Sequence, residues 1–212
     1  PSWAFENHDA PRALSRWCAA DQRDAFARMK AVLLITLRGN PIVYQGEELG
    51  LTQVEIPFEQ LQDPEAIANW PLTLSRDGAR TPLPWTAQDE HGGFSQNAPW
   101  LPPGEENLAR AVDRQEADPA SLLNLTRQLL ALRRGQPALR WGSYDVLLAD
   151  DAVLAVRRTF QGQSLLCLFN FTPDTVAAAA LPAPAGRVLA SVNGAGPEGL
   201  PPFGAMLIEE TP

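Results

Sequence analysis

The sequence predicts an α/β region followed by an all-β region. Three patterns lead to this prediction. Residues 1–50 have the order strand, helix, strand; a leucine-rich amphipathic helix occupies residues 118–135; and the residues after it change to the two-residue periodicity of β-strands. Hydrophobic residues make up 45% of the 212 residues and charged residues 20%, which is typical of a globular protein. We therefore expect an α/β domain over residues 1–138 and a β-domain over residues 139–212.

Residues 1–50 have the pattern of a βαβ unit. The short aromatic segment Ser2–Phe5 predicts the first strand, and a helix with apolar residues at helical spacing follows it. Asp21 is a suitable N-cap for this helix, and Gly39 suits the position after its end. Pro41–Tyr44 is a short apolar run of the kind found in buried parallel strands. Together these elements predict a βαβ unit.

Residues 51–118 show little periodicity and are rich in proline. A connection of this length usually has a function, so we expect a long loop excursion at a functional face, with short helices such as Pro64–Asn69. The helix at residues 118–135 is the clearest in the chain. Asp118 is its predicted N-cap, Pro119 suits its first turn, and four leucines line one face.

Residues 139–212 have the pattern of short β-strands. Six strands are expected: Tyr144–Ala149, Ala152–Phe160, Ser164–Phe171, Thr175–Leu181, Arg187–Val192 and Ala205–Glu209. Gln161-Gly162, Pro184–Gly186 and Asn193-Gly194 are turn signals between them. Short strands separated by such turns predict a small antiparallel sandwich.

Charge and cysteine content argue against several classes of protein. The net charge of −8 disfavours nucleic acid and anionic membrane surfaces as partners, because both require clustered lysine and arginine. Cys18 and Cys167 are too few for a disulfide framework or a cysteine-rich zinc site. We see no signal peptide and no apolar run near the ~20 residues that span a bilayer, so we expect a cytoplasmic protein. No metal or cofactor is expected for this portion of sequence.

The first group of residues that suggests chemistry is Asn7-His8-Asp9, with Arg12 three residues later. This group follows the first predicted strand. A carboxylate near an arginine stays ionised and could bind sugar hydroxyls or stabilise positive charge. The alternative is a structural role, in which Asp9 caps the next helix and His8 is half-buried.

Two further groups stand out. Residues 39–50, G-N-P-I-V-Y-Q-G-E-E-L-G, place Glu47 and Glu48 just after a predicted strand. Taken alone, they could form a tight turn with solvated carboxylates. Residues 76–85, R-D-G-A-R-T-P-L-P-W, place two arginines four residues apart, where they could hold hydroxyls or carboxylates. Taken alone, this segment could be a structural salt-bridge turn.

In this order, the three groups resemble the α-amylase clan, glycoside hydrolase family 13, and within it the α-glucosidase and oligo-1,6-glucosidase branch. Asn7-His8-Asp9 resembles the family's fourth conserved region, and residues 39–50 resemble the region after its eighth barrel strand. Residues 76–85 resemble a string of the glucosidase branch, with Leu83 where methionine is usual. The resemblance implies the last two β/α units of a (β/α)8 TIM barrel, followed by a C-terminal antiparallel β-sandwich.

The resemblance also implies roles for individual residues. Asp9 matches the catalytic carboxylate that stabilises the transition state, and His8 matches a histidine that binds hydroxyls of the same sugar. Arg12 matches an arginine beside that sugar, and Arg76 matches one that contacts the non-reducing glucose. The implied substrate is a small α-glucoside or short oligosaccharide, hydrolysed by exo-action.

The resemblance implies that part of the active site lies elsewhere. A retaining glycosidase needs a nucleophile and a general acid about 5 Å apart, and in the family both precede the N-H-D string. Only six residues precede Asn7 here, so we expect an upstream segment of the same barrel as a partner and no activity in this chain alone. Two alternatives stay open: a transglycosylase or sucrose isomerase of the same family, and a non-catalytic carbohydrate-binding or ancillary member.

Overall fold

The computed structural model describes residues 1–183 and 185–211, and the chain divides into two compact units. Unit 1 comprises residues 1–3, 24–42 and 126–212, and unit 2 comprises residues 4–23 and 43–125. Each unit is therefore discontinuous along the chain. The boundary expected near Ala138 stays a prediction about how the chain folds. Pro184, part of one predicted turn, lies outside the described residues.

The described part of the chain contains the three predicted helices and four short ones that the sequence patterns do not predict. They are α1 (Ala13–Trp17), α2 (Arg23–Thr36), α3 (Pro64–Asn69), α4 (Glu105–Leu108), α5 (Val112–Ala117), α6 (Leu122–Gly135) and α7 (Pro137–Trp141). The unpredicted helices are α1, α4, α5 and α7. The predicted caps of the two long helices are wrong. Asp21 lies in a 3-10 turn before α2, and Asp118 accepts from the Ala120 amide in a turn before α6. The cap of α6 is Ser121, whose Oγ accepts from the Asn124 amide.

Unit 1 contains a five-stranded antiparallel sheet in the order β3-β4-β5-β9-β7, and a two-stranded sheet of β6 and β8. The strands are β3 (Asp145–Ala149), β4 (Val153–Phe160), β5 (Gln163–Asn170), β6 (Val176–Ala177), β7 (Gly186–Val192), β8 (Gly199–Leu200) and β9 (Ala205–Glu210). The strand expected at Thr175–Leu181 is only two residues long, because alanine has a low strand propensity and a 3-10 turn replaces it. Strand β8 is too short to give a sequence pattern.

Both faces of the central strand β5 are buried. Leu166 and Leu168 pack in a cluster with Met206, Ile208 and Leu200, so the small β6–β8 sheet helps to cover this face. The predicted sandwich is therefore uneven, with five strands in one sheet and two in the other.

The other face of β5 buries Leu165, Cys167 and Phe169. Nearby, the Phe26 ring of α2 meets the Phe203 ring edge-on, with centroids 5.7 Å apart. Burial raises the pKa of the Cys167 thiol to about 12, so this cysteine is an unreactive apolar side chain.

Two buried arginines bind the C-terminal end of α2 within unit 1. Arg133 donates to the carbonyls of Ile35 and Leu37, and Arg158 donates to the carbonyl of Thr36. Burial lowers the pKa of both guanidinium groups. The carbonyl groups at a helix C-terminus carry partial negative charge, so they are suitable partners for a cation.

The first predicted strand pair forms, but it is not buried. β1 (Ser2–Ala4) pairs with β2 (Asn40–Ile42), and the Asn40 amide donates to the carbonyl of Pro1. The expected buried strand at Pro41–Tyr44 is therefore wrong in its burial, and the observed strand begins one residue earlier and ends two residues earlier. Ile42 is 50% exposed, since only one strand pairs with β2 among the described residues. The expectation that these strands belong to a TIM barrel stays a prediction.

Unit 2 is a loop-rich body with apolar clusters of its own. Ile56, Leu61, Ala66 and Leu101 form one cluster, to which α3 contributes Ala66. A second cluster joins Leu49, Leu51 and Leu123. The long excursion at residues 51–118 is therefore ordered by local packing despite its lack of periodicity. Across the part of the chain that the structure describes, the helices are too short or too polar to cross a membrane.

Candidate functional site

The Asn7-His8-Asp9 string forms a tight turn that presents Asp9 outward. The Asn7 Oδ1 atom accepts from the backbone amides of Asp9 at 2.8 Å and Ala10 at 3.0 Å, an Asx turn. The Asp9 side chain is 59% exposed. It does not cap the next helix, because α1 begins four residues later and has no side-chain cap. The structural alternative for Asp9 is therefore wrong.

Two arginines from one segment face the Asp9 carboxylate. Arg80 Nη2 lies 3.0 Å from Asp9 Oδ1, and Arg76 Nη1 lies 3.7 Å from the same oxygen. His8 Nε2 lies 3.4 Å from Asp9 Oδ2. Arg80 Nε also donates to the His8 backbone carbonyl at 2.8 Å. We call these four residues, His8, Asp9, Arg76 and Arg80, the Asp9 cluster.

The buried carboxylate of Asp63 binds the edge of the Arg76 guanidinium that does not face Asp9. The Arg76 Nε atom donates to Asp63 Oδ2 at 2.9 Å, its Nη2 atom donates to Asp63 Oδ1, and its backbone amide donates to Asp63 Oδ2 at 3.1 Å. The hydrogen bonds from Arg76 hold the pKa of Asp63 well below its ordinary value, and the same pair raises the pKa of Arg76. This pair fixes the guanidinium plane of Arg76.

Arg12 lies apart from the Asp9 cluster. Its side chain is 2% exposed, and it donates to Glu6 Oε2 at 3.1 Å and to the carbonyls of Gln45 at 2.9 Å and Ala79 at 3.2 Å. Its guanidinium also lies over the Tyr44 ring, 4.6 Å from the centroid. The family resemblance implies a substrate-binding residue at this position. The burial of Arg12 instead favours a role in joining the two strings that carry Asp9 and Arg80.

The acidic residues after β2 are part of a tight turn. Glu47 is buried and accepts from the Tyr44 amide at 3.2 Å, and Glu48 accepts from the Gly46 amide at 2.8 Å. Gly46 has a φ of +91°, and a Cβ there would lie 2.5 Å from Leu51. The expected tight turn is therefore present, but the expectation that its carboxylates are solvated is wrong for Glu47, which is buried.

An open cavity of 380 Å³ adjoins the Asp9 cluster within unit 2. It is lined by Asp9, Glu65, Leu74, Ser75 and Arg76. Carboxylate, guanidinium and hydroxyl groups around a cavity of this kind can hydrogen-bond a polyhydroxylated ligand. Among the described residues, no group of three or more His, Cys, Asp or Glu side chains is arranged to hold a metal ion.

Comparison with known families identifies the chain. The family model described as "Alpha amylase, catalytic domain" matches residues 1–142, and a model described as a domain of unknown function, DUF3459, matches residues 140–205.

The chain belongs to the α-amylase family.

Its curated relatives in the α-amylase family include glucosidases. The chain is 43% identical over 173 residues to a probable alpha-glucosidase of Rhizobium meliloti, a match covering 81% of this chain and 31% of that protein. It is 37% identical over 187 residues to an oligo-1,6-glucosidase of Halalkalibacterium halodurans, a match covering 79% of this chain and 33% of that protein. The chain thus spans about a third of the length of these relatives.

Solved structures of similar fold include transferring and isomerising enzymes. The alpha-glucosyl transfer enzyme XgtA superposes with a TM-score of 0.88 at 40% identity, covering 100% of this chain and 40% of that chain. An isomaltulose synthase mutant from Erwinia rhapontici NX5, in complex with sucrose, superposes with a TM-score of 0.86 at 26% identity, covering 100% of this chain and 43% of that chain. These likenesses extend the α-amylase family assignment over the whole chain.

Three of the four residues in the Asp9 cluster, His8, Asp9 and Arg76, are predicted from the sequence of this α-amylase family chain. Arg80 is visible as the second arginine of its string, but the string does not assign it a role. The sequence does not predict Asp63 and Glu65 as site residues. The only local signal for Asp63 was Asp-Pro at the start of α3, where its Oδ1 accepts from the Glu65 amide at 3.2 Å as an N-cap. Its bond to Arg76 is a tertiary contact that spacing does not reveal.

Proposed function

We propose that this chain forms part of the active site of an exo-acting α-glucosidase of the α-amylase family. The observation that supports this proposal best is the exposed Asp9 carboxylate, which two arginines and His8 surround beside an open polar cavity. The substrate would be a small α-glucoside or a short oligosaccharide. Residues 1–138 would form the last two β/α units of a TIM barrel.

Asp9 would stabilise the transition state of glycoside cleavage. In that transition state the sugar carries positive charge near its anomeric carbon. An aspartate carboxylate is anionic at neutral pH, and Arg80 holds this one in a fixed orientation. A preorganised negative charge stabilises the developing cation more than it stabilises the neutral substrate, so it lowers the barrier.

The other residues of the Asp9 cluster would bind sugar hydroxyls. His8 can accept or donate a hydrogen bond through its imidazole, and Arg76 can donate from the edge of its guanidinium that Asp63 leaves free. Arg12 would be a positioning residue, because it is buried and bonds the carbonyls of Gln45 and Ala79.

The nucleophile and the general acid would come from an upstream segment of the same barrel. Retaining hydrolysis requires two carboxyl groups about 5 Å apart that attack the sugar and protonate the leaving oxygen. We assign neither role to a residue of this chain. Curated relatives are about three times as long as the matched region, which leaves room for such a segment. We therefore propose that the chain alone does not turn over substrate.

The proposal is tested with a chimera. This chain would replace the matching C-terminal region of the Halalkalibacterium halodurans oligo-1,6-glucosidase, to which it is 37% identical. Hydrolysis of a chromogenic α-glucoside is measured for the chain, the chimera and the chimera with Asp9→Asn. We expect turnover only in the unmodified chimera. A chimera that melts cooperatively but has no activity favours the non-catalytic alternative. Activity that survives Asp9→Asn contradicts the role of Asp9.

A second candidate is glucosyl transfer, including isomerisation of sucrose. It is favoured by the structural likeness to the alpha-glucosyl transfer enzyme and to the isomaltulose synthase. The two activities share the first half of the reaction and differ in whether water or a sugar hydroxyl accepts the glucosyl group. Chromatography of the products that the chimera forms from sucrose separates them. Free glucose and fructose indicate hydrolysis, and isomeric disaccharides indicate transfer.

A further inference from the structure

We infer that Asp63, itself held by Asp77, is a positioning residue that orients Arg76 toward the sugar. This inference rests on the proposed function, because it assigns a role within the same site. Asp63 is not among the residues that line the cavity beside the Asp9 cluster and its side chain is fully buried, so it would act through Arg76.

The Arg76 guanidinium contacts a carboxylate on each of two sides. Nε and Nη2 form one edge of the guanidinium, and both donate to the Asp63 carboxylate. Nη1 lies on the opposite side, 3.7 Å from Asp9 Oδ1. A two-point contact of this kind fixes both the position and the plane of the group. Arg76 is 39% exposed, so without Asp63 it would have space to change rotamer.

Asp63 is in turn held by a second buried carboxylate. Asp77 is fully buried, and its Oδ2 atom accepts from the amides of Gln62 at 2.7 Å and Asp63 at 2.9 Å. Asp77 also begins the 3-10 turn Asp77–Ala79, which lies between Arg76 and Arg80. One turn therefore determines the place of both arginines of the Asp9 cluster.

This turn lies close to a neighbouring segment. The amide of Val54 donates to the Gly78 carbonyl at 3.2 Å, and a Cβ at Gly78 would lie 2.2 Å from the Val54 carbonyl oxygen. The close approach therefore requires glycine at position 78. Hydrogen bonds connect Val54 to this turn, Asp77 to Asp63, and Asp63 to Arg76, and of these four residues only Arg76 lines the cavity.

Loss of Asp63 should release Arg76 from its fixed orientation. The Arg76 side chain is 39% exposed beside the cavity, so a freed guanidinium would no longer present Nη1 at one place to a sugar hydroxyl. We therefore expect Asp63→Asn to weaken substrate binding. Because Arg76 contacts ground state and transition state alike in this proposal, the Michaelis constant changes and the turnover number does not.

The kinetic test uses the active chimera. We expect Asp63→Asn to raise KM about 10- to 100-fold, the range for a lost hydrogen bond to a charged group, with kcat within about twofold. In an Arg76→Lys background, which cannot make the two-point contact, Asp63→Asn should raise KM by less than about twofold. Glu209→Gln, which removes a carboxylate paired with Arg187 in unit 1, is the matched control and should leave KM unchanged. An equal rise in KM with and without Arg76 overturns the inference.

A second measurement needs no activity. Nitrogen-15 NMR on the full 212-residue chain follows the Nε–H signals of Arg76 and Arg80. Asp63→Asn should speed solvent exchange at Arg76 about tenfold or more and leave Arg80 unchanged. Unchanged exchange at Arg76 overturns the inference. The proposed function fails separately: if Asp9→Asn keeps its activity, the role of Asp9 is wrong, whatever Asp63→Asn does.

Discussion

Arg80 binds Asp9 directly, with Nη2 lying 3.0 Å from Oδ1, across 71 residues of sequence. The same guanidinium donates to the carbonyl of His8, so it fixes both the backbone and the side chain of the N-H-D turn. Arg80 is thus the closest cationic partner of the proposed transition-state stabiliser. Its effect on catalysis should differ from that of Arg76, which faces Asp9 at a longer distance.

We expect Arg80→Ala to lower kcat of the chimera about 10- to 100-fold with a small change in KM. The reason is that Asp9 loses its orientation, and misplaced charge stabilises the transition state less. Arg80→Lys should have an intermediate effect, because lysine supplies the charge without the fork that reaches two acceptors. Steady-state kinetics on the chromogenic α-glucoside measures both variants.

Arg187→Ala is the control for this prediction. Arg187 also pairs with one carboxylate, Glu209, but it belongs to unit 1 and to no part of the Asp9 cluster. Its removal should leave kcat unchanged. A fall in kcat for Arg80→Ala no larger than for Arg187→Ala would show that Arg80 does not support Asp9.

Asp77→Ala should destabilise the full chain more than Asp77→Asn. Asp77 Oδ2 accepts two backbone bonds, whereas Oδ1 is buried and has no partner among the described residues. The carbonyl oxygen of asparagine can keep both bonds, and the amide replaces the oxygen that makes none. Alanine leaves both amides without this acceptor, and the Asp63 amide is buried, where an unpaired group costs about 1–3 kcal/mol. Urea unfolding measures the difference; equal losses for the two variants would contradict this account.

The Asp63–Arg76 pair should make the free energy of unfolding of the chain fall as the pH is lowered through the acidic range. The bonds from Arg76 lower the pKa of Asp63 in the folded state, so the unfolded state binds a proton at higher pH. The stabilisation is therefore fully present above the ordinary aspartate pKa of about 3.9 and is lost as the pH falls below it. The gap in unfolding free energy between the wild type and Asp63→Asn should be largest near pH 6 and shrink toward pH 2. A gap that stays constant over this range would contradict the prediction.

The resemblance to α-glucosidases is visible in the sequence because the residues that carry it lie close together in short strings. Asn7-His8-Asp9 and the Arg76–Arg80 segment each keep their chemistry within a few residues, so the pattern is visible without a structure. The pairing of Asp63 with Arg76 is not visible in this way, since it depends on a loop fold that spacing does not specify.

The β-region was also largely predictable, because alternation of apolar residues directly reflects sheet burial. Buried charge was the exception. Arg158 stands in an alternating strand pattern as an ordinary polar position, yet it is fully buried. One of its acceptors, the Thr36 carbonyl, lies 122 residues earlier in the chain, and a backbone carbonyl cannot be recognised as a partner from sequence. Ile42 shows the opposite mismatch: its apolar sequence pattern predicts burial, but the residue is half exposed.

Neither residues 1–138 nor residues 139–212 should fold stably when expressed alone. Unit 1 draws on both fragments: Asn193 Nδ2 donates to the Ala25 carbonyl at 2.8 Å, and Phe26 packs against Phe203. Cutting the chain at residue 138 exposes apolar surface on both sides. Thermal melts followed by circular dichroism should be cooperative for the full chain only. A sharp melt of either fragment as a monomer would contradict this prediction.

The two arginines at the end of α2 give one part of unit 1 a resistance to acid. Arg133 and Arg158 bind carbonyl oxygens of Ile35, Leu37 and Thr36, and a carbonyl oxygen does not take up a proton in the pH range that neutralises carboxylates. The junction between helix and sheet therefore keeps its hydrogen bonds at a pH where the Asp63–Arg76 pair is lost. Strong acid, near pH 2, should loosen the loops around the Asp9 cluster first and leave a partly structured intermediate that retains this junction.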